Sequence, residues 1–233
     1  MKLTTEQIDQ LYAFTKQHYV EYYDLQTELV DHLANAIELE WETNPTPSFE
    51  TLLNKEFKKF GVFGFMDVVE EKQKAMAKRY NNWVWNHFKA FFELPNIIGT
   101  VLLIAALFYF LKFNENNIKI IKILFVIQFA VVFFGLVKQR LLINKKELNP
   151  KKWLLEKTIY SCGNFGGMFT LPLNIGTIIS NNITHATNSF ALFGMSCFFV
   201  CCGLFFYIIL FEIPSKAQEY LEKTYPEYKV SNQ

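Results

Sequence analysis

Residues 158–211 read TIYSCGNFGGMFTLPLNIGTIISNNITHATNSFALFGMSCFFVCCGLFFYIILF and contain no Asp, Glu, Lys or Arg. A soluble domain rarely extends so far without charge, because its surface must face water. The run is long enough for two helices of about 20 residues that each cross a bilayer. The polar cluster 181–189 divides it, as is typical of a loop between two helices. The sequence therefore predicts an integral membrane protein.

Two further apolar runs come earlier in the chain. The first extends over 94–111 and is opened by Pro95, whose missing N–H costs nothing at the first helical position. The second extends over 120–137. Lys122 in its first turn can reach the headgroups, and Gln128 near its centre is expected to face another helix. We therefore predict four membrane spans.

Basic residues flank the predicted spans unevenly. They are frequent before the first span, between the second and third, and after the fourth, whereas the loop between the third and fourth has none. Because cytoplasmic loops carry an excess of Lys and Arg, we expect a multi-pass protein of the cytoplasmic (inner) membrane with both termini cytoplasmic. Residues 1–44 are polar and predict no signal peptide, so the first span is expected to direct insertion.

Residues 1–71, which we call the head, are strongly acidic. They contain fourteen acidic and five basic residues, a net charge of −9, so the rest of the chain carries +10 to reach +1 overall. Such a head repels nucleic acid, whose binding depends on phosphate neutralisation by Lys and Arg. It also repels the anionic inner leaflet and is expected to stand off the bilayer. We therefore expect no nucleic-acid partner.

Helical signals recur along the head. Thr4 and Gln7 have the spacing of a capping box. Asp24 is positioned to cap a second helix and Ser48 a third. Gly61 follows the third helix, where a left-handed residue is common. The head is therefore predicted to be a helical bundle.

The segment 72–93 interleaves basic and aromatic residues. Trp favours the membrane interface and basic residues attract anionic headgroups, so we predict a juxtamembrane helix that contacts membrane lipid. The fold class is therefore all-α: an N-terminal cytosolic helical bundle (1–71), the juxtamembrane helix, a four-helix transmembrane domain (94–213) and a cytosolic tail (214–233). The predicted interface residues are Lys78, Arg79, Trp83 and Trp85.

Three motifs of the head resemble the HAAS-type helical domains of bacterial membrane proteins. They are DLQTELVDHL at 24–33, Ser48-Phe49-Glu50 and Lys58-Lys59-Phe60-Gly61, and the resemblance covers residues 5–75. HAAS-type domains are cytosolic bundles placed before transmembrane helices and are associated with signalling. The resemblance thus implies a bacterial membrane protein with a signalling head.

The predicted function is that of a non-enzymatic signalling or regulatory adaptor that is anchored in the membrane. We expect a cytosolic regulatory protein to bind an apolar stripe left open on the second helix. That stripe consists of Leu29, Val30, Leu33 and Ile37. The alternative is a small transporter or permease-associated subunit with a pathway between the third and fourth spans, near Asn164, Pro172 and Asn174. A packing subunit of a larger complex is a third option.

Glu28, Asp31 and His32 bring two carboxylates and an imidazole together on the second helix. A stable metal site needs three or four ligands, so we expect a pH-responsive or hydrogen-bonding site instead.

Gly163, Gly166 and Gly167 predict a small-residue face for helix packing or homo-oligomer formation. The sequence has no hydrolase, phosphate-loop or zinc-protease motif. We therefore expect no enzymatic activity, no metal and no cofactor.

Overall fold

The computed structural model describes residues 2–147, 151–163, 165, 170 and 188–231, and within them the regular structure is all helical. The first half contains α1 (Thr5–Gln17), α2 (Tyr23–Thr43), α3 (Phe49–Lys58), α4 (Met66–Ala90) and α5 (Asn96–Lys112). Next come α6 (Asn117–Glu147), α7 (Leu154–Tyr160) and α8 (Ser189–Tyr207). After α8 the chain continues through a π-helical segment (Ile208–Glu212), a single turn (Ile213–Ser215), α9 (Ala217–Thr224) and α10 (Pro226–Ser231).

Local capping signals start α1 and α3 as the sequence predicts. The Gln7 N–H donates to Thr4 Oγ1 (3.3 Å), and the Thr4 N–H donates to Gln7 Oε1 (2.9 Å), which confirms the capping box. Ser48 Oγ accepts from the Thr51 N–H (3.3 Å) and caps α3. Each of these caps stabilises its helix by about 1 kcal/mol.

The apolar faces of α1, α2 and α3 enclose one core, the head core. Leu11, Leu33, Leu52 and Phe65 are among its fully buried members. Full burial of such a side chain contributes about 1.5–3 kcal/mol. Leu154, at the start of α7, is also part of this core. A residue that is distant in sequence therefore completes the packing of the head.

The stripe predicted to bind a partner lies inside the head core. Leu29, Val30, Leu33 and Ile37 are at most 4% exposed. The prediction that this stripe is open was wrong, because α1, α3 and Leu154 cover the apolar face of α2. In this conformation none of the four can contact another protein.

Two helices of the described residues are long and apolar enough to cross a membrane. They are Asn117–Lys146 and Ser189–Ser215, whose most apolar 18-residue windows have mean hydropathies of 2.6 and 2.3. Only 28% and 33% of their most apolar windows are buried, so most of these side chains face outward. A buried core helix of a soluble protein would show the opposite.

The other two predicted spans have different outcomes. The first forms α5, whose 17 residues extend about 26 Å and fall short of the two longer helices. The third coincides largely with residues 164–187, of which only 165 and 170 are described. The described residues thus contain two helices of spanning length, and the four-helix membrane domain remains a prediction.

A second core, the membrane-proximal core, forms where α4, α6 and α7 meet the chain after α8. Its buried members include Tyr80, Val132, Leu155, Ile209 and Ile213. The adjacent residues Leu154 and Leu155 belong to different cores, the first to the head core and the second to this one. Helix α7 therefore joins the two cores.

Candidate functional site at the junction of the head and the membrane-proximal core

Helices α2 and α7 cap each other at their N-termini. The Tyr23 N–H, at the first position of α2, donates to the Lys152 carbonyl (2.7 Å). The Leu154 N–H, at the first position of α7, donates to Asp24 Oδ1 (3.2 Å). The first N–H groups of a helix have no partner within it. Each helix here supplies the acceptor that the other lacks, so the two ends hold each other in place.

Asp24 also links the junction to the tail. The Tyr225 hydroxyl in the tail donates to Asp24 Oδ2 (2.6 Å). Desolvation raises the pKa of Asp24, while the hydrogen bonds from Tyr225 and Leu154 oppose that rise. Desolvation and the neighbouring Asp24 also raise the pKa of Tyr225, which stays protonated and able to donate. The expected local cap of α2 is not formed: the Asp24 carboxylate binds α7 and the tail instead.

Trp153 fills the space behind these hydrogen bonds. It is 4% exposed, and its ring lies 5.4 Å from Tyr23, 4.8 Å from Tyr225 and 5.4 Å from Tyr228. Aromatic pairs at such distances contribute about 0.5–1.5 kcal/mol beyond their buried area. Lys151 Nζ lies 4.3 Å from the centre of the Tyr23 ring, on the outer side of the cluster. The head, the α6–α7 connection and the tail thus meet around one tryptophan.

A partly buried ion pair continues the junction toward α6: the Lys146 side chain is 33% exposed and that of Glu156 is 10% exposed. Lys146 Nζ forms an ion pair with Glu156 on α7. The Tyr228 hydroxyl also donates to Glu156 (3.2 Å). Loss of Lys146 would leave the carboxylate of Glu156, which is largely buried, without its counter-charge. This contact fixes the end of α6 against α7 and α10.

The register of the π-helical segment leaves one of its carbonyls without a backbone donor. In its register the N–H of residue 213 bonds the carbonyl of Ile208, so residue 214 would bond that of Ile209. Pro214 has no N–H, which leaves the Ile209 carbonyl without its donor. Gln139 on α6 supplies one through Nε2 (3.0 Å). A side chain distant in sequence therefore satisfies the carbonyl that the proline leaves open.

A polar cluster lies beside the π-helical segment. His87 Nε2 lies 3.6 Å from Glu212 Oε1 and 3.4 Å from the Tyr220 hydroxyl. Lys216 Nζ donates to Glu212 Oε1 (3.1 Å). His87 Nδ1 lies 2.9 Å from the Trp83 carbonyl, and if it donates there Nε2 is free to accept from Lys216 or Tyr220. The cluster connects α4 to the π-helical segment and to α9.

The three residues of the predicted site on α2 are exposed, and one of them, Glu28, is paired with another helix. Glu28 forms an ion pair with Lys72 on α4 (2.6 Å). Asp31 and His32 are exposed, and the His32 ring lies 5.8 Å from Phe60. Among the described residues, no group of three or more His, Cys, Asp or Glu is arranged to hold a metal ion. A pH-responsive role for these residues remains a prediction.

The predicted interface residues of α4 differ in their surroundings. Trp83 stacks on Tyr220, with ring centres 4.3 Å apart, and the Arg79 guanidinium lies 5.0 Å above the same indole. Trp85 is half exposed, and Lys78 is exposed. Trp83 thus packs within the protein, whereas Trp85 and Lys78 are open to the surroundings. Contact with the membrane remains a prediction for them.

Gly163 does not lie in the helical face predicted for it. Helix α7 ends at Tyr160, and Gly163 follows with a φ of +53°. A Cβ at this position would lie 2.5 Å from Tyr80 Cδ1, so glycine allows the close approach to α4. Gly166, Gly167, Asn164, Pro172 and Asn174 lie outside the described residues.

The residues that build the junction were largely missed by sequence reasoning. The sequence predicts Asp24 only as a local cap and makes no prediction for Trp153 or Tyr225. The one signal in the sequence was a tryptophan placed among the lysines of the 151–157 segment.

No protein-family model, curated protein or solved structure matches this chain, so the likeness to HAAS-type domains remains a prediction.

Proposed function

We propose that this chain is a non-enzymatic regulatory adaptor anchored in the membrane, whose head binds a cytosolic protein. The proposal is supported by the junction at Asp24, where the head is hydrogen-bonded to both α7 and the tail. A change in the position of the head would break or strain these bonds. The junction therefore offers a route by which events at the head and in the membrane part influence each other.

The arrangement of the chain supports a single cytoplasmic side for the head, the α6–α7 connection and the tail. These segments are the ones that flank the apolar helices, and they contact one another directly. The distribution of Lys and Arg also favours placing these three segments on the same, cytoplasmic side of the membrane. We propose four spans, with both termini in the cytoplasm of a bacterial cell.

A different surface of the head suits a partner. The turn between α3 and α4 exposes three large apolar side chains: Val62 is 97% exposed, Phe63 68% and Met66 58%. Contiguous exposed apolar residues often mark interaction sites. Because the head carries a net charge of −9, the partner is expected to surround its apolar contact with basic residues.

The test compares two substitutions that each place a charge on an exposed apolar site of the head. Phe63→Asp changes the proposed surface, and Leu39→Asp changes a site on α2 that is 64% exposed. After crosslinking in native membranes and purification, we expect the partner to be lost with Phe63→Asp and retained with Leu39→Asp. Equal recovery with both variants, or no partner with the unchanged chain, would refute the adaptor function.

The buried Leu33 is not suitable for this test. It is fully buried in the head core, so Leu33→Asp would place a charge inside the bundle and unfold it. Loss of a partner in that variant would report loss of the fold. Only exposed positions separate binding from folding.

A further inference from the structure

A narrow, open cleft lies where the end of α6 meets α7 and the start of α2. From α6 it is lined by Ile143 and Lys146, the latter being the last residue of the helix segment that is long enough to span. If α6 crosses the bilayer, this cleft lies at the depth of the lipid headgroups. Its position alone thus brings it within reach of membrane phosphate.

The cleft has basic and aromatic walls. Lys146, Lys152 and Lys157 line it together with Tyr22, Trp153 and Tyr160. Two carboxylates, Glu21 and Glu156, also line it, and Glu156 already pairs with Lys146. With three lysines and two glutamates, the lining of the cleft has a net charge of +1.

The surrounding segment adds to this charge. Residues 138–157 contain seven basic and two acidic residues, so the α6–α7 side of the cleft favours an anion, whereas its α2 side belongs to the acidic head.

Two of the three lysines in the lining have their side chains placed against aromatic rings, and the third has its backbone held. Lys157 Nζ lies 5.4 Å from the centre of the Tyr22 ring, and Lys146 Nζ lies 5.1 Å from that of Tyr160. The Lys152 carbonyl accepts from the Tyr23 N–H, which fixes the backbone of that lysine. A site that is ordered before binding loses less conformational freedom when its ligand arrives.

We infer that this cleft binds the phosphate of an anionic phospholipid headgroup, with Lys152 as the principal contact. A lipid fits better than a small free anion because Ile143, Trp153 and Tyr160 offer apolar contacts beside the lysines. Basic pockets at the cytoplasmic ends of membrane helices bind such headgroups. Because the Lys152 carbonyl also caps α2, an occupied cleft would stabilise the junction between the head and the membrane-proximal core.

The inference rests on the membrane placement proposed above, and its test uses the purified full chain without any cytosolic partner. The protein is reconstituted in nanodiscs that contain phosphatidylcholine and phosphatidylglycerol, and retained lipids are identified by native mass spectrometry. Lys152→Gln is compared with Lys145→Gln, which removes an exposed charge near the cleft but not in its lining. Lys152→Arg restores the charge and reports whether the segment still folds.

The unchanged chain is expected to retain phosphatidylglycerol in preference to phosphatidylcholine. Lys152→Gln should reduce that retention roughly fivefold, Lys145→Gln should have less than half that effect, and Lys152→Arg should restore it. Equal losses in Lys152→Gln and Lys145→Gln would show diffuse attraction and overturn the inference. Displacement of the lipid by excess inorganic phosphate alone would overturn it in favour of a free-anion site. A failed search for a cytosolic partner would leave these results unchanged, so the two proposals fail separately.

Discussion

The Tyr225 hydroxyl donates a hydrogen bond to Asp24 across 201 residues of chain, at a distance of 2.6 Å. This bond joins the second helix of the head to the tail that follows the last apolar helix. Together with the bond from the Leu154 N–H, it gives the carboxylate two donors from two different segments. The head is therefore an integrated part of the molecule and is not merely tethered to it.

Acidification is expected to stabilise the folded protein through Asp24, because burial of this carboxylate disfavours its charged form. Desolvation raises the folded-state pKa of Asp24 above its ordinary value of 3.8, so the folded state binds a proton more tightly than the unfolded chain. The stabilisation from this group is complete below that ordinary value and is lost as pH rises through the raised pKa. Asp24→Asn should reduce the change of thermal stability with pH, whereas Asp9→Asn at an exposed position should leave that change as it is in the unchanged chain. Identical pH profiles for both variants would contradict the expectation.

Tyr19 is expected to be replaceable by glycine with a gain in stability. It follows α1 with a φ of +64°, a region that costs a non-glycine residue about 1 kcal/mol, and its side chain is 80% exposed. Tyr19→Gly should raise the free energy of unfolding of the head by about 1 kcal/mol in a denaturant titration. Tyr19→Ala removes the ring but keeps the strain and should show no comparable gain. A destabilised Tyr19→Gly variant would refute the argument.

Two glutamines of α6 provide a matched pair of substitutions. Gln139 donates to the Ile209 carbonyl that Pro214 leaves open, whereas neither amide atom of Gln128 has a hydrogen-bond partner among the described residues. Gln139→Leu leaves a buried carbonyl unsatisfied and should cost about 1–3 kcal/mol. Gln128→Leu should be neutral or stabilising. Both effects can be measured as changes in melting temperature in detergent.

The reverse order of stability would contradict the assigned role of Gln139. The Gln128 variant also bears on the transporter alternative, because unpaired polar groups inside a membrane often mark substrate pathways. An adaptor should keep its partner in Gln128→Leu. Loss of a transport activity in that variant would favour the alternative.

Local signals in the sequence predicted local structure well. The caps at Thr4 and Ser48 each need a partner only three residues away, and both were confirmed. Asp24 was expected to act in the same local manner, but its donors come from residues 154 and 225. Nothing in the spacing of residues around Asp24 shows a contact over such a separation.

The interpretation of α2 failed for a related reason. Helical periodicity predicts that Leu29 and Leu33 share an apolar face, and it does so correctly. It does not show what covers that face, because α1, α3 and Leu154 come from other parts of the chain. Trp83 likewise lies in a segment whose composition is typical of a membrane anchor, and yet its ring stacks on Tyr220. Burial by distant segments was the information that the sequence lacked.

The coupling of the head to the tail is tested most directly by hydrogen–deuterium exchange on the full chain in a bilayer. Tyr225→Phe removes the hydroxyl that binds Asp24, and Tyr19→Phe is the control at an exposed tyrosine. A lost hydrogen bond to a charged group costs about 1.5–3 kcal/mol, so exchange at the Tyr23 and Leu154 amides should accelerate about tenfold or more in Tyr225→Phe alone. Unchanged exchange at both amides would contradict the proposed coupling.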